Sequence, residues 1–173
     1  QYLRNYQPYL PDALNNNYRY KNLAYAQWRK LYEAGELSGA AKEFFDAKPV
    51  ECLYDCEEDP HQVNNLAKDP QYRSVLLKMR ASLQNLVKSL PDLSFYPESH
   101  LIEHAMQDPV TFGKQHQQEI SELVEIADLA LLPLEQARPQ LLAALQSDNP
   151  MKRYWGAMSC AAFGLRAANL SDE

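Results

Sequence analysis

Glycine is scarce in this chain, five in 173 residues, and that scarcity removes whole classes of chemistry at the outset. Phosphate-cradling loops and dinucleotide fingerprints need glycines at fixed spacing, and neither pattern occurs, nor does a G-x-S-x-G nucleophile elbow. Cysteine numbers three, an odd count that excludes a dense disulfide framework and leaves the redox compartment open. Positive charge is short: 17 Lys and Arg stand against 23 Asp and Glu, for a net charge of -6. A surface that tracks phosphates displaces counterions with clustered cations, so nucleic acid is set aside as a partner. No run approaches the ~20 apolar residues that span a bilayer, and no membrane span is expected. The opening residues Gln1, Tyr2, Leu3 and Arg4 carry no initiator Met and no signal-peptide pattern, which predicts a chain that begins mid-gene or after processing.

What is present suffices for a core. Hydrophobic residues make up 46% of the chain and include 11 Tyr and 2 Trp, so general disorder is excluded. Residues 2–6 read as a short strand that runs into an aromatic, proline-bearing loop. Residues 23–34 place Ala24, Trp28, Leu31 and Tyr32 at helical spacing, with Gly35 where a left-handed C-cap is wanted. A second short helix over 38–45 turns Ala41, Phe44 and Phe45 inward and stops before Pro49. The period then changes: residues 50–56 alternate as a strand, with Cys52, Tyr54 and Cys56 on one face. Asp69 and Pro70 open a long helix whose Tyr72, Val75, Leu76, Met79, Leu83, Leu86, Val87 and Leu90 recur at steps of three and four. A connector through Pro91, Phe95 and Pro97 marks a boundary. Beyond it, residues 119–132, 134–147 and 150–163 are helix-length stretches separated by Pro133 and by Asp148 with Asn149, the spacing of stacked helical hairpins.

Several groups of side chains invite a chemical reading, and each has a structural one beside it. Cys52 and Cys56 suggest a thiolate metal site or a disulfide. Four residues of extended chain span about 13 Å, beyond disulfide reach, so they read as small side chains. His100 and His104, at i, i+4, could face one zinc, but the third ligand and the general-base Glu of H-E-x-x-H are missing. Asp55, Glu57, Glu58 and Asp59 form a carboxylate run that reads as a solvated turn, since a calcium loop needs a glycine that is absent there. Tyr9, Tyr18, Tyr20 and Trp28 could engage a sugar, or could pack against a body not included in the chain.

Residues 51–67, ECLYDCEEDPHQVNNLA, resemble the E-L-Y-D and D-P-x-E-x-x-N-L-A signature near the C-terminus of sulfatases. Residues 2–11, YLRNYQPYLP, look like that family's preceding strand and loop, and residues 28–35, WRKLYEAG, with Phe44 and Phe45 sit where the branch resembling heparan N-sulfatase carries an insertion. Cys52 departs from a usual acidic residue and Gln62 stands where Glu is frequent. The resemblance implies a strand that closes a small antiparallel sheet, and a turn that launches the last helix across it. It also implies a parent enzyme that hydrolyses sulfuric esters or sulfamates through a formylglycine made from Cys or Ser in C/S-x-P-x-R, beside calcium held by carboxylates. No such motif occurs here. The nearest, Ser89-Leu90-Pro91-Asp92-Leu93, has Leu93 where Arg is required.

Residues 141–157, LLAALQSDNPMKRYWGA, look like a HEAT-type repeat, with its Asp/Asn-Pro turn and following Arg, and the polar ending after Asn169 suggests further repeats beyond it. The expectation is a predominantly helical α+β fold. Residues 1–98 form a partial sulfatase C-terminal subdomain, a small incomplete antiparallel sheet with a packed C-terminal helix, and residues 99–173 form a HEAT-like helical region. No catalytic, cofactor-binding or metal-binding residue is expected in the chain, calcium and formylglycine belonging to the parent. The expected partners are the upstream catalytic domain and a sulfated glycan or a protein, and the family resemblance favours a periplasmic or extracellular location.

Overall fold

Residues 1–171 are described by a computed structural model; Asp172 and Glu173, in the polar ending, lie outside the described residues. Strand β1 (Tyr2–Arg4) pairs antiparallel with β2 (Glu51–Leu53), Leu3 opposite Cys52, and helices account for most of the rest, so the fold is predominantly helical α+β. Both strands are shorter than the alternation suggests. Tyr54 continues the ladder, its N–H donating to the Gln1 carbonyl at 2.8 Å. Asp55 then turns the chain by accepting the Glu57 N–H at 3.1 Å. Cys56 therefore sits exposed in a turn and not on the Cys52 face.

Between the strands the chain makes an excursion through α1 (Asn17–Tyr20), α2 (Leu23–Glu33) and α3 (Ala40–Glu43). Helix α2 ends where Gly35 adopts a φ of 73°, and the Gly35 and Glu36 N–H groups return to the Tyr32 and Leu31 carbonyls, a closure that needs a left-handed residue. Its inward residue is Tyr25, while Ala24 and Ala41 are exposed. The reason is aromatic: Tyr25 lies among Tyr20, Trp28, Phe44 and Phe45, and rings of that area displace an alanine methyl from the buried position.

Asp69 accepts the Gln71 N–H and starts a 3-10 turn, Pro70–Tyr72, that passes into α4 (Arg73–Ser89). Leu76 of α4 is 1% exposed, but the rest of its apolar face is partly open, with Val75 and Leu86 at 45% and 55%. After a 3-10 turn at Leu93–Phe95 come α5 (Glu98–His104), α6 (Pro109–Gln115), α7 (Gln117–Asp128), α8 (Leu134–Leu145), α9 (Pro150–Phe163) and a closing 3-10 stretch, Gly164–Ser171. Helix α9 has the bounds its Asn149 cap and Pro150 dictate, and Asn149 accepts the Met151 and Lys152 N–H groups. Helix α7 stops short of residue 132 because Leu129–Leu131 tightens into a 3-10 turn ahead of Pro133.

The core is centred on α7, whose Ile120, Leu123 and Val124 are fully buried. Phe95, Tyr96, Phe112 and Trp155 complete it, and Tyr6, Val87 and Leu93 pack against it, so the packing crosses Pro97. The buried indole N–H of Trp155 donates to the Phe95 carbonyl at 2.7 Å, satisfying a polar atom in an apolar setting. A second cluster of Leu129, Ala137, Leu141 and Phe163 joins α8 to α9. Gly156 permits that close approach: a Cβ there would lie 3.1 Å from the Ala144 Cβ.

Candidate functional site

The segment at residues 51–67 folds as a frame in which charged and polar groups are committed to one another. Glu51 accepts the Tyr2 hydroxyl at 2.9 Å and the Arg80 Nε at 2.9 Å, with a second Arg80 nitrogen on its other carboxylate oxygen. Burial, reinforced by the Glu51 hydrogen bond, raises the Tyr2 hydroxyl pKa. Burial opposes the Arg80 charge, yet Glu51 outweighs it and the guanidinium pKa is raised. Asn65 lies along the outer edge of β2 in the manner of a further strand. Its side chain accepts the Leu53 N–H at 3.0 Å and donates to the Glu51 carbonyl at 3.2 Å, while also accepting the Ala67 N–H at 3.0 Å.

Arg4 ties this frame to the helices. Its Nε donates to Asp128 Oδ1 at 2.9 Å and its Nη2 to the Ala127 carbonyl at 2.7 Å, while Nη1 reaches the Asn5 and Val50 carbonyls. The Arg4 side chain is 2% exposed, and its guanidinium sits 4.7 Å from the centre of the Tyr6 ring. Gln84 Nε2 donates to the other Asp128 oxygen at 3.0 Å. Burial, with Asp128 nearby, pushes the Tyr6 hydroxyl up to about 12. Arg4 lies within the segment 2–11, but no local pattern in the sequence pairs it with Asp128.

The remaining candidates are dispersed. Cys52 is buried and Cys56 exposed, and both are free thiols. Burial raises the Cys52 thiol pKa, and the carboxylates of Glu51 and Glu43 push the same way, so the sulfur is not poised as a thiolate. Asp55 accepts the Glu57 N–H and Asp59 the Asn64 N–H at 2.8 Å, while Glu57 and Glu58 face solvent, so the acidic run is a turn. Among the described residues, no three His, Cys, Asp or Glu side chains gather as metal ligands. The His100 and His104 rings stand 4.5 Å apart, with His100 stacked on Tyr96 at 5.1 Å. Burial, then the His104 charge, lowers the His100 pKa. Ser89 donates to the Leu86 carbonyl at 2.7 Å, as an ordinary helix-end hydroxyl.

The aromatic residues mostly face one another. Trp28 stacks on Phe44 at 4.7 Å and donates to the Ala41 carbonyl, Tyr20 meets Tyr25 edge-on at 5.2 Å, and the Tyr9 hydroxyl donates to Met158 Sδ at 2.8 Å. Tyr18 alone of the four sugar candidates stays open, at 79% exposure. Besides a concavity of about 740 Å³ lined by Glu51, Lys68, Arg73 and Arg80, two further ones border the sheet. One, of about 580 Å³, lies on the Cys52 side between Leu3, Phe44, Tyr54 and Val63, with Asp12, Glu43 and Asp46 at its rim. The other, of about 560 Å³, runs beside Tyr2 along Val75, Met79, Leu83 and Leu86 of α4.

No protein-family model and no solved structure matches the chain. It is 34% identical over 103 residues to an ulvan-active sulfatase of Formosa agariphila. The match takes in 59% of this chain and 17% of that relative's length. The chain thus contains a sulfatase-related region.

Proposed function

We propose that the chain is the C-terminal, non-catalytic portion of a sulfatase-like hydrolase, in which residues 1–98 supply a partial C-terminal subdomain and residues 99–173 a HEAT-like helical extension. The observation that carries this is the 34% identity to a sulfatase. The frame of Glu51, Arg80, Tyr2 and Asn65 supports it, because these residues support a strand and do not present a reacting group. The HEAT-like reading draws on the α8–α9 turn, where Arg153 donates to the Ser147 and Asp148 carbonyls and holds the Asn149-Pro150 corner.

The residues present do not fit calcium or formylglycine. Asp55 and Asp59 spend oxygens on backbone N–H groups, and Ser89 is a helix-end hydroxyl with Leu93 in place of the required Arg. The nucleophile and the metal that stabilises sulfate oxygens therefore belong to an upstream catalytic domain in this reading, and no step of hydrolysis is assigned to this chain. A periplasmic or extracellular location follows from the same parentage. The relative's name makes ulvan the first sulfated glycan to assay. The test is sulfate release from a chromogenic ester and from ulvan, with calcium added. The 173-residue chain should release none, and a polypeptide that includes the reading frame before Gln1 should release it; turnover by the 173 residues alone overturns the proposal. In the alternative, a carbohydrate- or protein-binding module, the chain binds a sulfated glycan tightly by itself; mutual packing of Tyr20, Trp28 and Phe44 leaves little aromatic platform for that.

A further inference from the structure

The frame around Glu51 borders a concavity whose cations are not all paired. This space, of about 740 Å³, lies between the two halves of the chain, with Lys68, Arg73 and Arg80 on one side and Leu132, Pro133 and Gln136 on the other. Its two carboxylates are already engaged: Glu51 holds Arg80 and the Tyr2 hydroxyl, and Asp69 accepts the Gln71 N–H. Lys68 ends a 3-10 turn, Leu66–Lys68, and Arg73 is the first residue of α4. Among the described residues neither side chain has a hydrogen-bond or ion-pair partner. Arg73 also stands at the positive end of the α4 dipole, in a first turn without an acidic residue, a placement that disfavours a cation. Three cations around one concavity repel one another. An anion received between them offsets that repulsion and meets the helix dipole with the favourable sign.

We propose that this concavity binds a tetrahedral oxyanion, a sulfate or phosphate group, with Lys68 and Arg73 as its contacts and Arg80, held by Glu51, as a fixed third charge. The Arg73 guanidinium supplies paired N–H donors in a fork and Lys68 a mobile ammonium, a combination suited to several oxygens on one centre. The volume is that of a small-molecule site, and it leaves room beside the group for a sugar, with Leu132 and Pro133 as an apolar wall and the Gln136 carboxamide, unpartnered among the described residues, for a hydroxyl. The proposal uses only these charges and holds whether or not the chain derives from a sulfatase.

The test is titration calorimetry of the 173-residue chain, at constant ionic strength, with sodium sulfate, sodium phosphate, glucose 6-sulfate, glucose 6-phosphate and sodium acetate. Saturable binding of a sulfate or phosphate species is expected at about 1–10 mM. A sugar ester that binds more tightly than its free ion identifies the sugar as the carrier, and equal affinity identifies the free ion. Lys68→Gln and Arg73→Gln should each weaken binding about fivefold to tenfold, and Arg73→Lys less, because it keeps the charge and loses the fork. Lys30→Gln, exposed on α2, removes the same charge and should leave binding unchanged. Circular dichroism confirms that the variants fold alike. No saturable binding of any tetrahedral ion, acetate bound as tightly, full affinity in both Lys68→Gln and Arg73→Gln, or an equal loss in Lys30→Gln overturns the proposal, the last by reducing the effect to overall charge. Hydrolysis is not the readout, so failure here leaves the proposed parentage untouched.

Discussion

Arg4 concentrates more polar bonds than any neighbour in β1, and it does so while almost wholly withdrawn from water. A guanidinium in that setting is stable because each face of the fork meets an oxygen. Replacing it with alanine leaves Asp128 with Gln84 but without its cation, and takes a donor from the Asn5, Val50 and Ala127 carbonyls, of which Val50 keeps the Asn5 N–H. Breaking a buried pair from one side costs about 3–5 kcal/mol, so Arg4→Ala should lower the urea-unfolding free energy by that amount. Arg4→Lys should fall between, since one ammonium cannot reach both Asp128 and Val50. A loss under about 1 kcal/mol with an unchanged denaturant slope would show the pair to be dispensable.

Among the elements, the edge of β2 offers the sharpest experiment. Asn65→Ala removes the acceptor from Leu53, a residue 2% exposed, and the donor to Glu51. An unsatisfied buried N–H costs about 1–3 kcal/mol, which thermal or urea melts would register. Asn65→Asp keeps the bonds from Leu53 and Ala67 and should lose less; equal losses would mean that those two accepted bonds contribute nothing beyond the one donated to Glu51. The elements also show what local sequence can carry. Helix α9 was legible to its ends because Asn149 and Pro150 are chemical start signals, and α2 because Gly35 is a stop signal. On α2 the spacing points to Ala24 where Tyr25 is the buried residue, since spacing does not reveal that Phe44 and Phe45 return to meet it. The stripe on α4 was legible as apolar, but periodicity does not say what covers it. Arg4 and Asn65 lie within the signature-like segments, but Arg80 carries no local signal, and the partners of all three are set in space: Arg4 and Asp128 are 124 positions apart.

For the molecule as a whole, the shared core around Ile120, Phe95 and Trp155 predicts joint folding of residues 1–98 and 99–173. The full chain should melt in one transition seen alike by near-ultraviolet and far-ultraviolet circular dichroism. A fragment ending at residue 98 should keep some helix and the near-ultraviolet signal of the Trp28 cluster but lose the part due to Tyr6 and Tyr96, because Phe95 and Tyr96 lose the α7 and α9 side of their packing. Two separate transitions in the full chain would contradict this. The guanidinium of Arg4 has a mechanical meaning at this scale. The strand that carries it and the helix that receives it have no slack between them, so whatever adjoins the strand and whatever rests on the helices keep a fixed bearing, as two instruments bolted to one plate.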